Sequence, residues 1–144
     1  MNIVADTNVL LSGVLWKGPS FEALKAILES YTLVQSQSTL EEFGKVIRRE
    51  KFTRILQRRG LSVDPIVEAL ILQSKIYTVT KISKSMAKKV KIRDADDLIF
   101  VELAIESNAK FIVSGDKHLL DLQKVEHIDI LSVNELLKYL RENK

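Results

Sequence analysis

Residues Ile3-Val4-Ala5-Asp6-Thr7-Asn8 form a short apolar run that stops on a carboxylate, a hydroxyl and an amide. No other stretch constrains the fold as strongly. A run this short has the length of a buried strand, and in open α/β sheets ligands collect in the crevice beyond the carboxyl ends of the strands. The chain therefore begins by aiming an acid at the edge of a sheet where sites form. A later run, Phe111 to Ser114, ends in the same manner, on Ser114-Gly115-Asp116.

Between these two runs the pattern alternates. Val9 to Trp16 is a short apolar segment, and Gly18-Pro19-Ser20 interrupts it before a helix over Phe21 to Glu29 with Phe21, Leu24, Ile27 and Leu28 at helical spacing. Thr32 to Val34 reads as a second strand. Ser36 to Thr39 offer caps for a helix from about Leu40 to Glu50, and a short helix over Phe52 to Gln57 ends at Gly60. Asp64-Pro65 starts the next helix, which runs to about Ser74, with Pro65 suited to the first helical position. Tyr77 to Thr80 is rich in β-branched residues and predicts a third strand. A short helix over Ser83 to Lys89 is followed by a longer one over Ala95 to Ser107, the strand at Phe111, a short helix over Asp116 to Leu122 and a strand over Ile128 to Leu131. Ser132, with Glu135 three residues on, makes a capping box for the terminal helix. Strand and helix in alternation imply an α/β fold of three layers, a central, mainly parallel sheet of four to five strands between helices.

At 144 residues and 46% apolar content the chain is expected to form one domain over 1–144. It has no cysteine, which excludes disulfides and thiolate metal sites. No window nears the roughly 18 consecutive apolar residues that span a bilayer, and the amino terminus lacks the pattern of a signal peptide, so a cytoplasmic protein is expected. The net charge is only +3, but it is unevenly placed. Lys45 to Arg59 carries seven Lys or Arg against one acid, Glu50, and Lys81 to Arg93 carries six against none. Both stretches read as solvated faces, and both suit a phosphate backbone. His118 and His127 stand without a partner at ligand spacing, no Ser–His–Asp arrangement or glycine-rich phosphate loop is present, and Trp16, after Val14 and Leu15, is expected in the core.

Four acids occupy positions that such a fold can gather: Asp6 and Asp116 at strand ends, Glu42 early in its helix, and Asp97 in the first turn of the helix before the Phe111 strand. Each alone reads as a helix cap. Together, at about 4 to 6 Å, they repel by roughly 1 to 4 kcal/mol per pair and require protonation or a cation. Oxygen ligands without His or Cys suit Mg²⁺ or Mn²⁺ rather than Zn²⁺. Asp94, three residues before Asp97, shares its face if the helix starts early, whereas Asp96 should point elsewhere.

These residues, in this order, carry a family resemblance. Ile3 to Asn8, Ser36 with Leu40-Glu41-Glu42-Phe43, Arg93-Asp94-Ala95-Asp96-Asp97-Leu98 with Ala104, and Ile112-Val113-Ser114-Gly115-Asp116-Lys117 together resemble a PIN domain, and more narrowly the PIN-family toxins of toxin–antitoxin systems. Arg48-Arg49-Glu50-Lys51-Phe52 fits a pattern of that toxin group. The resemblance spans Asn2 to about Leu137. It implies a flavodoxin-like sandwich and a Mg²⁺- or Mn²⁺-dependent endoribonuclease, with Asp6, Glu42, Asp97 and Asp116 as catalytic metal ligands and Asn8, Asp94 and Ser114 in support. It also chooses Glu42 over Glu41 and Asp97 over Asp96. RNA, an antitoxin protein and a second copy of the chain are the partners it implies. Arg48, Arg49, Lys51 and Arg93 are the candidate RNA contacts, with Arg93 read first as an ion-pair partner of Asp94 or Asp97. Two rivals stand beside this reading: a phosphotransferase with Asp6 as nucleophile, and a module that holds a structural ion and binds RNA or protein without catalysis.

Overall fold

The computed structural model describes residues 1–143. Strands β1 (Asn2–Ala5), β2 (Thr32–Gln35), β3 (Lys75–Ile76), β4 (Phe111–Val113), β5 (Lys124–Val125) and β6 (Ile128–Leu131) form one sheet in the order β3-β2-β1-β4-β6-β5. All neighbours are parallel except β5, which runs antiparallel to β6 at the edge. The sheet thus has six strands rather than four to five, because each edge carries a strand of only two residues. The α/β reading with a mostly parallel central sheet holds.

Helices α1 (Thr7–Leu15), α2 (Pro19–Ser30), α3 (Gln37–Ile47), α4 (Glu50–Arg58), α5 (Val63–Gln73) and α9 (Val133–Glu142) contribute to one core. Helices α6 (Lys81–Lys88), α7 (Leu98–Ser107) and α8 (Lys117–Leu120) contribute to a second. The pleat divides the strand side chains between the two. Ile3, Ala5, Leu33, Phe111 and Val113 belong to the first core, whereas Val4, Val34 and Ile112 belong to the second. Burial on both faces is why β1 reads as a continuous apolar run. A fully buried side chain of this size contributes about 1.5 to 3 kcal/mol, so Ile3, Leu33 and Ile112, each within 1% of full burial, hold the central strands firmly. Ser132 and Glu135 form the expected capping box on α9.

Two local expectations are corrected and one element is added. The short apolar segment after Asn8, assigned no element from the sequence, belongs to a helix, Thr7–Leu15, which Asp6 caps. Its buried residues Thr7, Val9, Leu10, Leu11, Gly13 and Leu15 surround most of the helix, leaving no polar stripe to reveal a helical period. Gly13 allows this helix to lie against α2, since a Cβ there would meet Ser20 O at 3.0 Å and Leu24 Cδ2 at 3.0 Å. Tyr77 to Thr80 is not a strand. Strand β3 precedes it, and only Tyr77 N–H still reaches β2, donating to Gln35 O at 2.8 Å. Trp16 is not a core residue but is 45% exposed, just past the end of α1. Among the described residues no helix is long and apolar enough to cross a membrane.

Candidate active site

Strand β1 lies at the centre of the sheet, with β2 on one side and β4 on the other. The chain therefore leaves the carboxyl ends of β1 and β4 in a crevice of the kind where α/β proteins place ligands. The register pairs Ala5 with Val113, which brings Asp6 level with Ser114. Asp6 N–H donates to Val113 O at 3.0 Å, continuing the ladder by one bond. The Asp6 carboxylate accepts from Val9 N–H at 2.9 Å through Oδ1 and from the Ser114 hydroxyl through Oδ2. Ser114 Oγ in turn accepts from Asp116 N–H at 2.9 Å. A fully buried hydroxyl thus ties the acid after β1 to the acid after β4.

A second pair of acids comes from the approach to α7. The helix expected over Ala95 to Ser107 is divided: Ala95–Asp97 is a 3-10 turn and the α-helix starts at Leu98. Asp94 caps that turn, accepting from Asp96 N–H at 2.9 Å. Side chains three apart eclipse in 3-10 geometry, so Asp94 and Asp97 stand on the same side. One carboxylate oxygen from each of Asp94, Asp97 and Asp116 lies within 4.8 Å of the others.

These residues line a cavity of about 260 Å³ with Asp6, Thr7, Asn8, Glu42, Val46, Arg49, Asp96 and Phe100. Of the sequence candidates, Asp6, Asn8, Glu42, Asp94, Asp97 and Asp116 are therefore together, and Ser114 lies behind them. Asp94, given a supporting part by the resemblance, stands in the closest trio, while Asp6 and Glu42 line the same space. Glu41 faces away, accepting from Gln37 Nε2 at 3.0 Å. Asp96 does not point elsewhere as expected but lines the cavity, because the 3-10 turn spreads its side chains differently from an α-helix. Thr7 and Val46 also line it; their signal in the sequence was only their position, directly after Asp6 and one helical turn after Glu42.

The basic candidates separate. Arg49 lines the cavity, whereas Arg48 donates to Gly44 O at 2.8 Å and to Asp64 at 3.0 Å. Lys51 lies over the Phe52 ring, 4.9 Å from its centroid. Arg93 forms no ion pair with Asp94 or Asp97 among the described residues, contrary to the first reading of its role.

Electrostatics follow from this crowding. Burial raises the Asp6 pKa, and hydrogen bonds from Ser114 and Val9 offset part of the rise. The Asp97 carboxyl is pushed up to about 7, first by burial and then by the negative charge of Asp116, with Asp94 and Asp6 adding to it. Its Oδ2 is buried with no hydrogen-bond partner. A buried carboxylate oxygen left unpaired beside two other acids is unstable unless it takes a proton or a cation. Ligands of one octahedral Mg²⁺ stand roughly 3 to 4 Å apart, close to the spacing of the Asp94, Asp97 and Asp116 oxygens. The donor set fits a hard divalent cation.

A family model described as PIN domain matches residues 2–118. The chain belongs to the PIN-domain family. Similar solved structures agree in fold. The crystal structure of VapBC2 from Rickettsia felis, bound to a DNA fragment from its promoter, superposes with a TM-score of 0.67 at 13% identity, covering 92% of this chain and 98% of that one. FitAcB from Neisseria gonorrhoeae gives 0.56 at 16% identity over 91% of this chain and 97% of that one. VapC20 of Mycobacterium tuberculosis, a toxin that cleaves the sarcin-ricin loop, gives 0.50 at 14% identity over 76% and 86%. At these identities the likeness is one of fold. No curated protein matches the chain.

Proposed function

We propose that this PIN-domain protein is a Mg²⁺- or Mn²⁺-dependent endoribonuclease and the toxin partner of a toxin–antitoxin pair. The observation that carries the reading is the trio of Asp94, Asp97 and Asp116, with Asp6 hydrogen-bonded behind it, at the crevice between β1 and β4. Asp94, Asp97 and Asp116 would hold the cation, and Asp6 and Glu42 complete the acidic wall. When bound, such an ion neutralises the carboxylates and activates water for in-line attack on a phosphodiester.

The chain's own residues have separate tasks in this account. With its pKa raised to about 7 by burial and by Asp116, Asp97 would carry a proton below that pH in the absence of a cation and would give it up on serving as a ligand. Ser114 fixes the orientation of Asp6 through Oδ2 and receives the Asp116 N–H, so that both strand-end acids keep one geometry. Asn8, in the first turn of α1, lines the same cavity and supplies an amide to orient water or substrate. The basic stretches 45–59 and 81–93 attract RNA, and a site recessed at a sheet edge suits a single-stranded or looped segment. The named activity of VapC20 on an RNA loop supports that substrate class, and the VapBC2 complex supports an antitoxin partner. Cytoplasmic residence and a homodimer belong to the same reading.

The phosphotransferase rival expects a second Asp two residues after the nucleophile, where this chain has Asn8, and Asp6 is buried and held by Val9 N–H and the Ser114 hydroxyl. Purified Asp6→Asn protein is expected to lose divalent-ion-dependent cleavage of an RNA pool. Cleavage retained by that variant would overturn the assignment, and RNA binding without new fragments in the native protein would favour the non-catalytic module.

A further inference from the structure

We propose that Arg49 is the side chain that grips the phosphate being cut, an inference that rests on the endoribonuclease reading. The cavity is lined by six acids, Asp6, Glu42, Asp94, Asp96, Asp97 and Asp116, and by one basic side chain, Arg49. A phosphodiester brought to such a wall is repelled by every ionised carboxylate that the cation leaves uncompensated. A fixed positive group at the rim is therefore needed to hold it, and Arg49 is the group that stands there.

Arg48 and Arg49 are neighbours with different commitments. The Arg48 guanidinium is occupied by Gly44 O and Asp64. For Arg49 the backbone is occupied instead: its N–H donates to Val46 O at 3.0 Å, and its carbonyl accepts from Phe52 N–H at 3.0 Å and Thr53 N–H at 3.1 Å. Phe52 is buried, which anchors the start of α4 against the core. Among the described residues the Arg49 guanidinium joins no ion pair, although it lines a cavity full of acids, and the adjacent Glu50 is already paired with Arg54. A rigid stem thus carries an uncommitted guanidinium to the edge of the site. Its planar fork matches two oxygens of one phosphate, and the charge that gathers on those oxygens during displacement strengthens the contact in the transition state.

The test compares Arg49→Ala, Arg49→Lys and Arg48→Ala with the native protein, using a short single-stranded RNA cut in Mn²⁺. Arg49→Ala should lower kcat/KM by roughly 100-fold, mainly through kcat, and Arg49→Lys should recover part of it. The log–log salt dependence of RNA binding should become shallower by roughly 0.7 in Arg49→Ala, as expected for one lost phosphate contact on a single strand. With the positive charge facing the acids gone, Arg49→Ala should melt no higher than the native protein in EDTA and rise at least as much on adding Mn²⁺, whereas a metal-holding role would make that rise smaller. Arg48→Ala, which loses the bonds to Gly44 O and Asp64, should instead melt earlier in EDTA. An Arg49→Ala protein that cleaves at the native rate overturns the proposal while leaving the nuclease reading intact. Should the native protein cut no RNA, the nuclease reading fails, and Arg49 is then judged on binding: equal affinity and equal salt slope in Arg49→Ala overturn it, and a weaker, shallower response supports it.

Discussion

Replacing Asp97 with Asn should make the protein more stable without divalent ions and less stable with them. The magnitude follows from the site. Carboxylate oxygens within 4.8 Å of one another repel by at least about 1 to 3 kcal/mol per ionised pair at effective dielectrics of 80 to 20. Asp97 faces Asp116 and Asp94 at or within that separation, and its Oδ2 is buried without a partner. An Asn amide removes the charge and offers Asp116 a donor. In EDTA at pH 8, where the Asp97 carboxyl with its pKa of about 7 is ionised, the variant should melt roughly 3 to 10 °C higher, taking about 2 to 4 °C per kcal/mol for a chain of this size. At pH 5 the native carboxyl carries its proton and the difference should shrink. Saturating Mn²⁺ reverses the order, since an ion at about 100 times its dissociation constant stabilises the native protein by about 2.7 kcal/mol and the variant has lost a ligand. Thermal unfolding followed by circular dichroism reads all four conditions. A variant that melts lower than the native protein in EDTA, or that gains as much from Mn²⁺, would rule out both the repulsion at Asp97 and its part in holding the ion.

The native protein in EDTA should also lose stability as pH rises. Asp6 and Asp97 have folded pKa values above their unfolded value of 3.8, so between about pH 4 and 7 the folded chain binds protons that the unfolded chain has released. The stability present at low pH is lost as pH climbs through 7, and a melting temperature that rises from pH 5 to pH 8 without metal would contradict this. Ser114→Ala removes the donor to Asp6 and the acceptor for Asp116 N–H; it should cost about 1 to 3 kcal/mol in urea unfolding and weaken Mn²⁺ binding by roughly 10-fold or more. Gly13→Ala pushes a methyl against Ser20 O and Leu24, and should cost about 1 to 3 kcal/mol with metal affinity unchanged; a neutral result would show that α1 and α2 can separate freely.

Much of this architecture was readable because the signals were local and chemically distinct. Ile3 to Ala5 and Phe111 to Val113 are apolar on both faces and stop abruptly at polar residues, so two central strands and their acidic ends could be placed from residue type alone. Ser36 and Ser132 announce their helices through hydroxyl caps. What could not be read was set by tertiary packing. Helix α1 is buried around most of its circumference, so its period is hidden, and Trp16 follows it into solvent despite its apolar approach. β5 exists only because β6 offers it an edge. In the site, the position of Asp94 and Asp96 depended on a 3-10 turn that the acidic first-turn pattern cannot distinguish from an α-helix. The division of labour between Arg48 and Arg49 was invisible for a similar reason: it depends on Asp64, sixteen residues away in the chain.

Cleavage of RNA by the acids gathered beyond β1 and β4, with the help of a divalent cation, can be read from the fragment ends produced from an RNA pool by the native protein in Mn²⁺, in EDTA, and by Asp97→Asn in Mn²⁺. Discrete new ends, placed within unpaired or looped segments, are expected in the first sample and none in the other two. The same ends appearing with EDTA or with Asp97→Asn, or no new ends at all from the native protein, would contradict cation-dependent cleavage by these acids.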